Sequence, residues 1–324
     1  MHTQSGRLPD FFIVGAAKSA TTSLYAYLRD HSGVFTPFWK EPHFFSYAEL
    51  APYRFVPAAN LFQYVHLFDR ARADQIIGEA STSYLYEYEK TIRRMREVYG
   101  DDVKKIKIII SLRNPVDRAF SHYSMYRLYG LEPLGFDEAL AAGVFPRLDE
   151  NLDTDRFGIL IDYLQAGMYY EAVKAYMEVF PCVHIVLYDD MRRDPAAVMR
   201  DIFHFLGVDE TISIAADAPH YNATGAPRFE FFNALLNGLQ KALMAKRSRV
   251  KKTLMWLTGW FVDWKVVRVQ IGRRILDKLQ HLRFMNVKKS SMPAASRQRL
   301  RELYRPDIVQ LQKLINRDLS SWLS

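Results

Sequence analysis

The sequence has a single cysteine, Cys182, among 324 residues, so a disulfide-stapled scaffold is excluded. We expect Cys182 to be buried, because it precedes an apolar stretch. Long hydrophobic runs are also missing. The most apolar late stretch, residues 253–262, is too short to span a bilayer. The first residues lack the basic leader and apolar segment of a secretory signal, so we expect a cytoplasmic protein.

Metal-binding clusters of histidine and cysteine are absent from the sequence, and so is the Gly-Lys-Ser/Thr pattern of nucleoside triphosphatases. The adjacent acids Asp189 and Asp190 are more typical of loop charges than of a cation site. We therefore expect no metal requirement. Positive charge is in excess instead, since 44 Lys and Arg against 36 Asp and Glu give a formal charge of +8. Such a surplus favours an anionic partner.

Apolar segments with the pattern of strands alternate with helical patterns. The predicted strands cover residues 11–14, 75–78, 106–112 and 183–188, and the main predicted helices cover residues 19–29, 90–99, 116–129, 170–179 and 195–206. This alternation predicts an α/β fold of three layers, α/β/α, with a central parallel sheet. We expect small hydroxyl residues to cap the first of these helices and Gly207 to end the last one.

The C-terminal third has a different character. A basic run covers residues 246–252, and three tryptophans follow it at helical spacing: Trp256, Trp260 and Trp264. These features predict a basic amphipathic helical insertion, residues 228–285, within a single domain that spans residues 1–324. We favour a helical hairpin packed on the sheet over an element that touches a membrane or acts as a lid. Residues 296–323 predict a further pair of helices.

Small and hydroxyl residues surround a lysine between the first predicted strand and helix. The segment consists of Gly15, Ala16, Ala17, Lys18, Ser19, Ala20, Thr21, Thr22 and Ser23. Small side chains let backbone N–H groups close on phosphate oxygens, the helix N-terminus adds a favourable dipole, and Lys18 adds positive charge. The segment therefore predicts a phosphate-binding loop, although small residues also occur in ordinary strand-to-helix turns.

A second polar segment follows the strand predicted at residues 106–112. Arg113 lies at the carboxyl end of this strand, Pro115 lies near the start of the next helix, and Ser121 lies two turns into it. In a parallel sheet this segment and the phosphate-binding loop meet at one edge. Arg113 and Ser121 can converge on one anion, and a guanidinium with a hydroxyl suits a terminal phosphate.

These motifs resemble those of the sulfotransferases that depend on 3′-phosphoadenosine 5′-phosphosulfate (PAPS), in particular the branch with bacterial members and the heparan sulfate sulfotransferases. The matching segments are residues 18–22, 40–45, 113–121, 167–170, 188–195 and 205–207. The resemblance covers residues 10–225, and the C-terminal helices loosely. It implies transfer of a sulfuryl group from PAPS to a hydroxyl or amine of a carbohydrate or small natural-product acceptor, with 3′-phosphoadenosine 5′-phosphate (PAP) as product.

The resemblance also implies roles for individual residues. The 5′-phosphosulfate would be held by Ala17, Lys18, Ser19, Ala20, Thr21, Thr22 and Ser23, and the 3′-phosphate by Arg113 and Ser121. Further donor-site residues would be Tyr188, Arg228, Lys288 and Lys289.

The catalytic roles follow from the same resemblance. Glu41 is the expected general base, with His43 as second choice, although we favour for His43 a role in orienting the loop. Lys18, with Lys40 as a second cation, would stabilise charge on the leaving phosphate.

Two positions depart from the pattern of the family. Ala20 stands where the family often has glycine, so we expect the backbone there to avoid angles that strongly favour glycine. Ala80 follows Glu79 where the heparan sulfate enzymes carry lysine, which puts their acceptor contacts in doubt for this chain.

Two other functions compete with sulfotransfer. A kinase or another phosphoryl transferase would share the fold and the loop, but it would require a Walker lysine and a magnesium-binding Ser/Thr in another register. A basic protein that binds nucleic acid or a membrane would be built around residues 246–252 and the tryptophans. We expect no nucleic-acid partner. The acceptor, O- or N-sulfation, membrane contact of the insertion and the oligomeric state stay open.

Overall fold

The computed structural model describes residues 6–48, 58–129, 132–143, 162–211, 226–227, 287–288 and 291–324. The chain divides into two compact units. The first consists of Met1–His122, Leu140–Tyr221 and Pro293–Ser324, and the second of Tyr123–Ala139 and Asn222–Met292. The predicted insertion, residues 228–285, lies outside the described residues.

A parallel sheet of five strands forms the centre of the first unit. Its strands are β1 (Phe11–Gly15), β2 (Val34–Phe35), β3 (Ile76–Ala80), β4 (Lys107–Leu112) and β5 (Cys182–Leu187), in the spatial order β2-β3-β1-β4-β5. Every neighbouring pair is parallel. Phe12 of β1, for example, lies opposite Glu79 of β3 and Ile108 of β4. The predicted α/β fold is confirmed.

Helices of both layers connect these strands. They are α1 (Thr21–Asp30), α2 (Phe44–Tyr47), α3 (Leu61–Val65), α4 (Ser83–Tyr86), α5 (Tyr88–Tyr99), α6 (Pro115–Leu128), α7 (Phe136–Ala141), α8 (Tyr170–Val179), α9 (Tyr188–Arg193), α10 (Pro195–Leu206) and α11 (Ala294–Ile315). Gly207 ends α10 in a left-handed conformation (φ 76°), as predicted. None of the helices in the described part of the chain is long and apolar enough to cross a membrane.

Successive side chains of β1 face opposite layers of helices, as the period of two in a strand requires. Phe11 belongs to a buried core together with Leu24 of α1 and Ile202 of α10. Phe12 faces the other layer, where its ring centre lies 6.2 Å from that of Tyr99 in α5. The sheet is therefore covered by helices on both faces, which accounts for its almost continuous apolar sequence.

The end of the chain packs onto the first unit through α11. Asp307 accepts hydrogen bonds from the backbone N–H groups of Tyr169 (2.9 Å) and Tyr170 (3.0 Å), next to the start of α8. The prediction of a helix pair in residues 296–323 is wrong, because α11 runs as one helix through Pro306 and only a short 3₁₀ turn follows it. Buried side chains on both sides of the proline hold the helix together despite the missing N–H.

Cys182 is exposed, so the prediction that it is buried is wrong. It is the first residue of β5, which lies at one edge of the sheet. Burial along β5 increases toward its carboxyl end, where Val186 and Leu187 belong to the core. The apolar residues after Cys182 therefore do not indicate the environment of the cysteine itself.

The structure describes a smaller part of the second unit. Its strands β6 (Ala226–Pro227) and β7 (Val287–Lys288) form an antiparallel pair in which Ala226 lies opposite Lys288. The residues that flank the predicted insertion, Pro227 and Val287, are therefore paired. Arg228, Lys289 and the side chain of Lys288, all expected at the donor site, lie outside the described residues, and their roles stay predictions.

Candidate functional site

The loop between β1 and α1 is fastened to the carboxyl end of β4. The N–H of Ala16 donates to the carbonyl of Ser111 (2.6 Å), and the hydroxyl of Ser111 donates to the carbonyl of Ser19. The guanidinium of Arg113 donates to the carbonyl of Lys18 (3.1 Å). Residues of β4 and the position after it therefore determine the shape of the predicted phosphate-binding loop.

Gly15 permits this loop to start close to α4. A Cβ atom at Gly15 would lie 2.6 Å from the Cβ atom of Leu85, and the φ angle of Gly15 is 155°. A larger residue at this position would push β1 and α4 apart and would displace the first residue of the loop.

Four non-glycine residues of the candidate site have a left-handed backbone conformation. They are Lys18 (φ 70°), Ala20 (φ 65°), Glu41 (φ 64°) and His43 (φ 53°), and in the described part of the chain the only other one is Asn316. The expectation that Ala20 avoids glycine-specific angles is therefore wrong. A left-handed conformation costs about 1–2 kcal/mol for a residue with a side chain. Such strain concentrates at functional sites, where surrounding contacts maintain it.

Helix α1 begins without a side-chain cap, so the predicted hydroxyl cap is wrong. Its N-cap residue is Ala20, and its first turn contains no acidic residue. The first N–H groups of a helix have no partner within the helix, and together with the helix dipole they attract an anion. The hydroxyl of Ser19 is buried and has no hydrogen-bond partner among the described residues. The loop therefore offers two kinds of hydrogen-bond donor to an anion, the first N–H groups of α1 and the Ser19 hydroxyl.

Arg113 lies between this loop and the start of α9. Its guanidinium carbon is 4.4 Å from the centre of the Tyr188 ring, and its carbonyl accepts a hydrogen bond from the Tyr169 hydroxyl (3.0 Å). The structure thus brings together Arg113, Tyr188 and the loop, all expected at the donor site. Ser121 is buried in α6, and its role beside Arg113 stays a prediction.

Glu41 lies in a short segment at the carboxyl end of β3. Its N–H donates to the carbonyl of Ala80, the last residue of β3 (2.9 Å). Its carboxylate accepts hydrogen bonds from the ammonium group of Lys40 and from the hydroxyl of Thr82 (3.2 Å). Nε2 of His43 is 3.5 Å from the same carboxylate. Glu41 is therefore anchored at both its backbone and its side chain.

The surroundings of Glu41 favour its ionised form. Burial raises the pKa of the Glu41 carboxyl, but the charges of Lys40 and His43 and the hydrogen bonds from Lys40 and Thr82 outweigh this effect and hold the pKa below its ordinary value. The side chain keeps 28% of its surface exposed. An ionised and accessible carboxylate can take a proton from an incoming hydroxyl or amine.

Lys18 and Glu41 belong to one electrostatic cluster. Burial lowers the pKa of Lys18 to about 8, the charges of Arg113 and Lys40 lower it as well, and the charge of Glu41 opposes them. Ile13 of β1 lies opposite Ala80 of β3, and the N–H of Glu41 donates to the carbonyl of Ala80. The loop after β1 and the segment that contains Glu41 therefore lie side by side at the carboxyl ends of neighbouring strands. Glu41, His43 and the loop that contains Lys18, which carry the three residues expected to be catalytic, therefore lie at the same edge of the sheet.

His43 connects Glu41 to buried hydroxyl groups. Its Nδ1 atom is hydrogen-bonded to the Ser83 hydroxyl (2.7 Å), and its backbone N–H donates to the Ser81 hydroxyl (3.0 Å). The side chain of His43 is 11% exposed. This arrangement favours a role in orienting the segment over a role as the base.

Glu79 is a residue of this region that the sequence motifs did not assign to the site. Its side chain is fully buried, and it accepts hydrogen bonds from the hydroxyls of Ser81 (2.6 Å), Tyr64 (2.8 Å) and Tyr84 (2.8 Å). Burial raises the pKa of Glu79 to about 7, although these hydrogen bonds lower it. The sequence contains one sign of this role, because Glu79 is the single charged residue of the otherwise apolar strand β3.

A cavity of about 450 Å³ lies beside the loop and is also lined by Thr82, which donates to Glu41. Its walls include Ala17 of the loop, Tyr86 at the end of α4, Glu87 and Tyr88 at the start of α5, and Glu171 of α8. Volumes in this range hold small organic ligands.

Fold and site together define an α/β protein in which the predicted phosphate-binding loop lies at the same sheet edge as the carboxylate of Glu41. The family model described as "Sulfotransferase domain" matches residues 8–224. The chain therefore belongs to the sulfotransferase family, which confirms the resemblance seen in its motifs. Sulfotransfer is thereby favoured over the kinase and over the basic binding protein.

Relatives and a solved structure agree with this assignment. Human bifunctional heparan sulfate N-deacetylase/N-sulfotransferase 3 is 26% identical over 242 residues, which cover 69% of this chain and 24% of the relative. Bifunctional heparan sulfate N-deacetylase/N-sulfotransferase 1 from Xenopus tropicalis is 27% identical over 248 residues, which cover 74% of this chain and 26% of that relative. This chain thus spans about a quarter of the length of these relatives. The crystal structure of a sulfotransferase from Alicyclobacillus acidocaldarius is 28% identical, with a TM-score of 0.66 over 98% of this chain and 100% of that one.

Proposed function

We propose that this sulfotransferase moves a sulfuryl group from PAPS to a hydroxyl or amine of a carbohydrate or small natural-product acceptor. In this proposal Glu41 is the general base and Lys18 stabilises the leaving phosphate. The observation that carries the proposal is the position of the Glu41 carboxylate, which Lys40 and Thr82 hold at the same edge of the sheet as the loop that contains Lys18. A cation for the donor and a proton acceptor for the second substrate thus share one site.

The residues of the loop fit the phosphosulfate end of PAPS. The uncapped start of α1 offers backbone N–H groups, and the buried Ser19 hydroxyl lacks a partner among the described residues. Arg113 uses one of its five N–H donors on the Lys18 carbonyl, and the proposal directs its remaining capacity to the 3′-phosphate, with Ser121 beside it. When bound, PAPS supplies the activated sulfuryl group.

Proton removal from the acceptor is the task of Glu41. Lys40 and Thr82 hold its two carboxylate oxygens, which fixes the direction from which a hydroxyl or amine can be deprotonated. Lys18 places positive charge where negative charge builds up on the oxygen of the leaving phosphate. Such electrostatic stabilisation contributes about 3–4 kcal/mol in comparable sites.

The cavity of about 450 Å³ is the proposed acceptor site. Tyr86 and Tyr88 offer aromatic walls for a sugar or another compact ring, while Glu87 and Glu171 place carboxylates on the cavity wall. Ala80 replaces the lysine that the heparan sulfate enzymes carry. These features favour an uncharged or amine-bearing acceptor over an acidic glycan. The names of the curated relatives mention N-sulfotransfer, which adds amino sugars to the acceptors worth testing.

Replacement of the base tests the proposal. Glu41→Gln should lower kcat by at least about 100-fold and leave the affinity for PAP within about twofold of wild type. Turnover is measured with PAPS and a panel of neutral, amine-bearing and acidic acceptors, by the mass gain of one sulfuryl group. Glu97→Gln, at an exposed position of α5, is the matched control and should behave as wild type.

Two outcomes would contradict the proposal. Full turnover by Glu41→Gln would assign the base elsewhere, with His43 as the next residue to replace. Tight, magnesium-dependent binding of ATP without sulfuryl transfer to any acceptor would contradict the use of PAPS.

A further inference from the structure

The buried carboxylate of Glu79 has no task in the chemistry proposed above. It lies in β3, and three hydroxyls donate to it, from Ser81, Tyr64 and Tyr84. Burying a carboxylate is costly unless hydrogen bonds compensate it. Three converging donors around one fully buried residue therefore suggest a specific use for the carboxylate.

Two of these hydroxyls connect Glu79 to the segment that contains Glu41. The Ser81 hydroxyl accepts a hydrogen bond from the N–H of His43 (3.0 Å), and the Tyr84 hydroxyl accepts one from the N–H of Phe45 (3.3 Å). A hydroxyl has one hydrogen and two lone pairs. When its hydrogen points to a carboxylate, its lone pairs are left to accept a backbone N–H group.

The connected segment has an unfavourable backbone conformation. Glu41 and His43 are both left-handed, with φ angles of 64° and 53°. Strained residues keep such angles when surrounding contacts over-determine them. Side-chain bonds from Lys40, Thr82 and Ser83 contribute to this. The backbone N–H groups of the segment are held by the hydrogen bond from Glu41 to Ala80 (2.9 Å) and by the two bonds to the hydroxyls beside Glu79.

We propose that Glu79 is a positioning residue of the active site, whose carboxylate orients the Ser81 and Tyr84 hydroxyls so that they hold the backbone of residues 43–45 and thereby the direction of Glu41. An ionised carboxylate only accepts hydrogen bonds, so both hydroxyls must turn their hydrogens toward it. Glu79 acts through other residues and does not contact the reacting atoms. The inference rests on the proposed role of Glu41 as base.

This arrangement depends on the ionisation of Glu79. A protonated carboxyl group carries a donor of its own, so one of the three hydroxyls must turn away. Burial and the charge of Glu41 raise the pKa of Glu79 to about 7, while the hydrogen bonds from Ser81, Tyr64 and Tyr84 lower it. The orientation of the hydroxyls is therefore complete above pH 7 and is lost below it.

Several other titratable groups lie around Glu79 in the described part of the chain. They come from the segment before α2 and from α3, α4, α5 and α8: Glu41, Tyr64, Tyr84, Tyr99 and Tyr176. Burial raises the pKa values of the four tyrosines well above their ordinary value, and the pKa of Glu41 lies below its own. None of these five groups accounts for a change of kcat near pH 7. Lys18, with a pKa of about 8, and the His43 imidazole, 3.5 Å from the Glu41 carboxylate, are distinguished from Glu79 because only a change due to Glu79 disappears in Glu79→Gln.

The pH profile of Glu79→Gln tests the proposal. In the wild type, kcat with saturating PAPS and acceptor should rise through about pH 7. In Glu79→Gln, kcat at pH 8 should be about tenfold lower and should lack this rise, while KM and the affinity for PAP stay within about twofold. Hydrogen exchange followed by mass spectrometry should show faster exchange, by about tenfold, in peptides that cover residues 41–47.

Tyr84→Phe and Tyr64→Phe form a matched pair that keeps the test valid if Glu79→Gln does not fold. Both hydroxyls donate to Glu79 at 2.8 Å, and Tyr84 also accepts from Phe45. Tyr84→Phe should therefore lower the plateau of kcat and speed exchange at residues 41–47. Tyr64→Phe should keep the plateau and move the midpoint of the pH profile upward, because a hydrogen bond that lowers the pKa of Glu79 is lost.

Three results would overturn the proposal: a wild-type pH profile in Glu79→Gln, unchanged exchange at residues 41–47, or equal losses of kcat in the two tyrosine variants. If Glu41 is not the general base, the experiments give a different combination of results. Glu41→Gln would keep full turnover, while the exchange of residues 41–47 would still respond to the changes at Glu79 and Tyr84. That combination would contradict the proposed function and support the connection between Glu79 and residues 43–45.

Discussion

Lys18 offers a test of the donor site that requires only a change of pH. Burial, with a further contribution from Arg113, lowers the pKa of Lys18 from 10.5 to about 8. A bound phosphate would favour the ammonium form of this lysine. The affinity for PAP should therefore be highest below pH 8 and should fall as the pH rises through about 8.

The magnitude follows from the fraction of Lys18 that carries a proton. At pH 7 about nine-tenths of the free enzyme has the ammonium form, and at pH 9 about one-tenth, for a pKa of about 8. The apparent affinity scales with the competent fraction. PAP should thus bind about tenfold more weakly at pH 9 than at pH 7, a difference of about 1.4 kcal/mol. Phosphate monoesters have a second pKa near 6, so the ligand keeps its charge over this range.

Isothermal titration calorimetry between pH 7 and pH 9.5, in buffers of different ionisation enthalpy, measures both the affinity and the proton taken up on binding. Lys18→Arg is the matched control, because arginine stays charged throughout this range. Its affinity for PAP should not vary with pH. A wild-type affinity that is constant from pH 7 to pH 9, without proton uptake, would refute the assignment of Lys18 to the phosphate.

Three further perturbations address other parts of the site. Arg113→Ala should weaken PAP binding by about 2–4 kcal/mol, since a phosphate loses a charged, forked partner, and unchanged affinity in calorimetry would contradict this placement. Ala20→Gly should raise the free energy of unfolding by up to about 1 kcal/mol, because relief of the left-handed strain exceeds the entropy cost of glycine. A loss of stability in urea would show that Ala20 is unstrained. For Glu79, the folded-state pKa of about 7 exceeds the ordinary 4.5, so its contribution to stability is complete below pH 4.5 and is lost as the pH rises through 7. The wild type should lose about 3 kcal/mol between pH 4.5 and pH 8 relative to Glu79→Gln, and parallel unfolding curves of the two proteins would contradict the raised pKa.

Long elements of the fold could be predicted from the sequence because their patterns repeat over several residues. The runs that form β1 and β4 are continuous and apolar, as expected for strands covered on both faces. Helices α8 and α10 begin and end at the predicted residues. Strand β2 has two residues and α2 has four, so neither shows a measurable period. Tertiary contacts determine these short elements.

Residues of the candidate site could be predicted where a sequence motif specifies the residue type. The backbone conformation of the site could not be predicted in this way. Arg113 and Glu41 were expected from their motifs. The structure places Arg113 on the carbonyl of Lys18 and Glu41 beside Ala80, at the same edge of the sheet. The left-handed angles of Ala20 could not be predicted, because they arise from bonds between the loop and β4, which is distant in sequence. Glu79 was missed for a related reason, since Glu79 lies in strand β3 and its hydroxyl partner Tyr64 lies in helix α3.

The order of synthesis has a consequence for the donor loop. Asp307 holds the backbone of Tyr169, the Tyr169 hydroxyl holds the carbonyl of Arg113, and Arg113 in turn holds Lys18. Translation proceeds at roughly 5–20 residues per second, so Lys18 leaves the ribosome tens of seconds before Asp307 is made. In a nascent chain, the series of hydrogen bonds that ends at Lys18 is thus complete only when α11 has left the ribosome and packed against Tyr169.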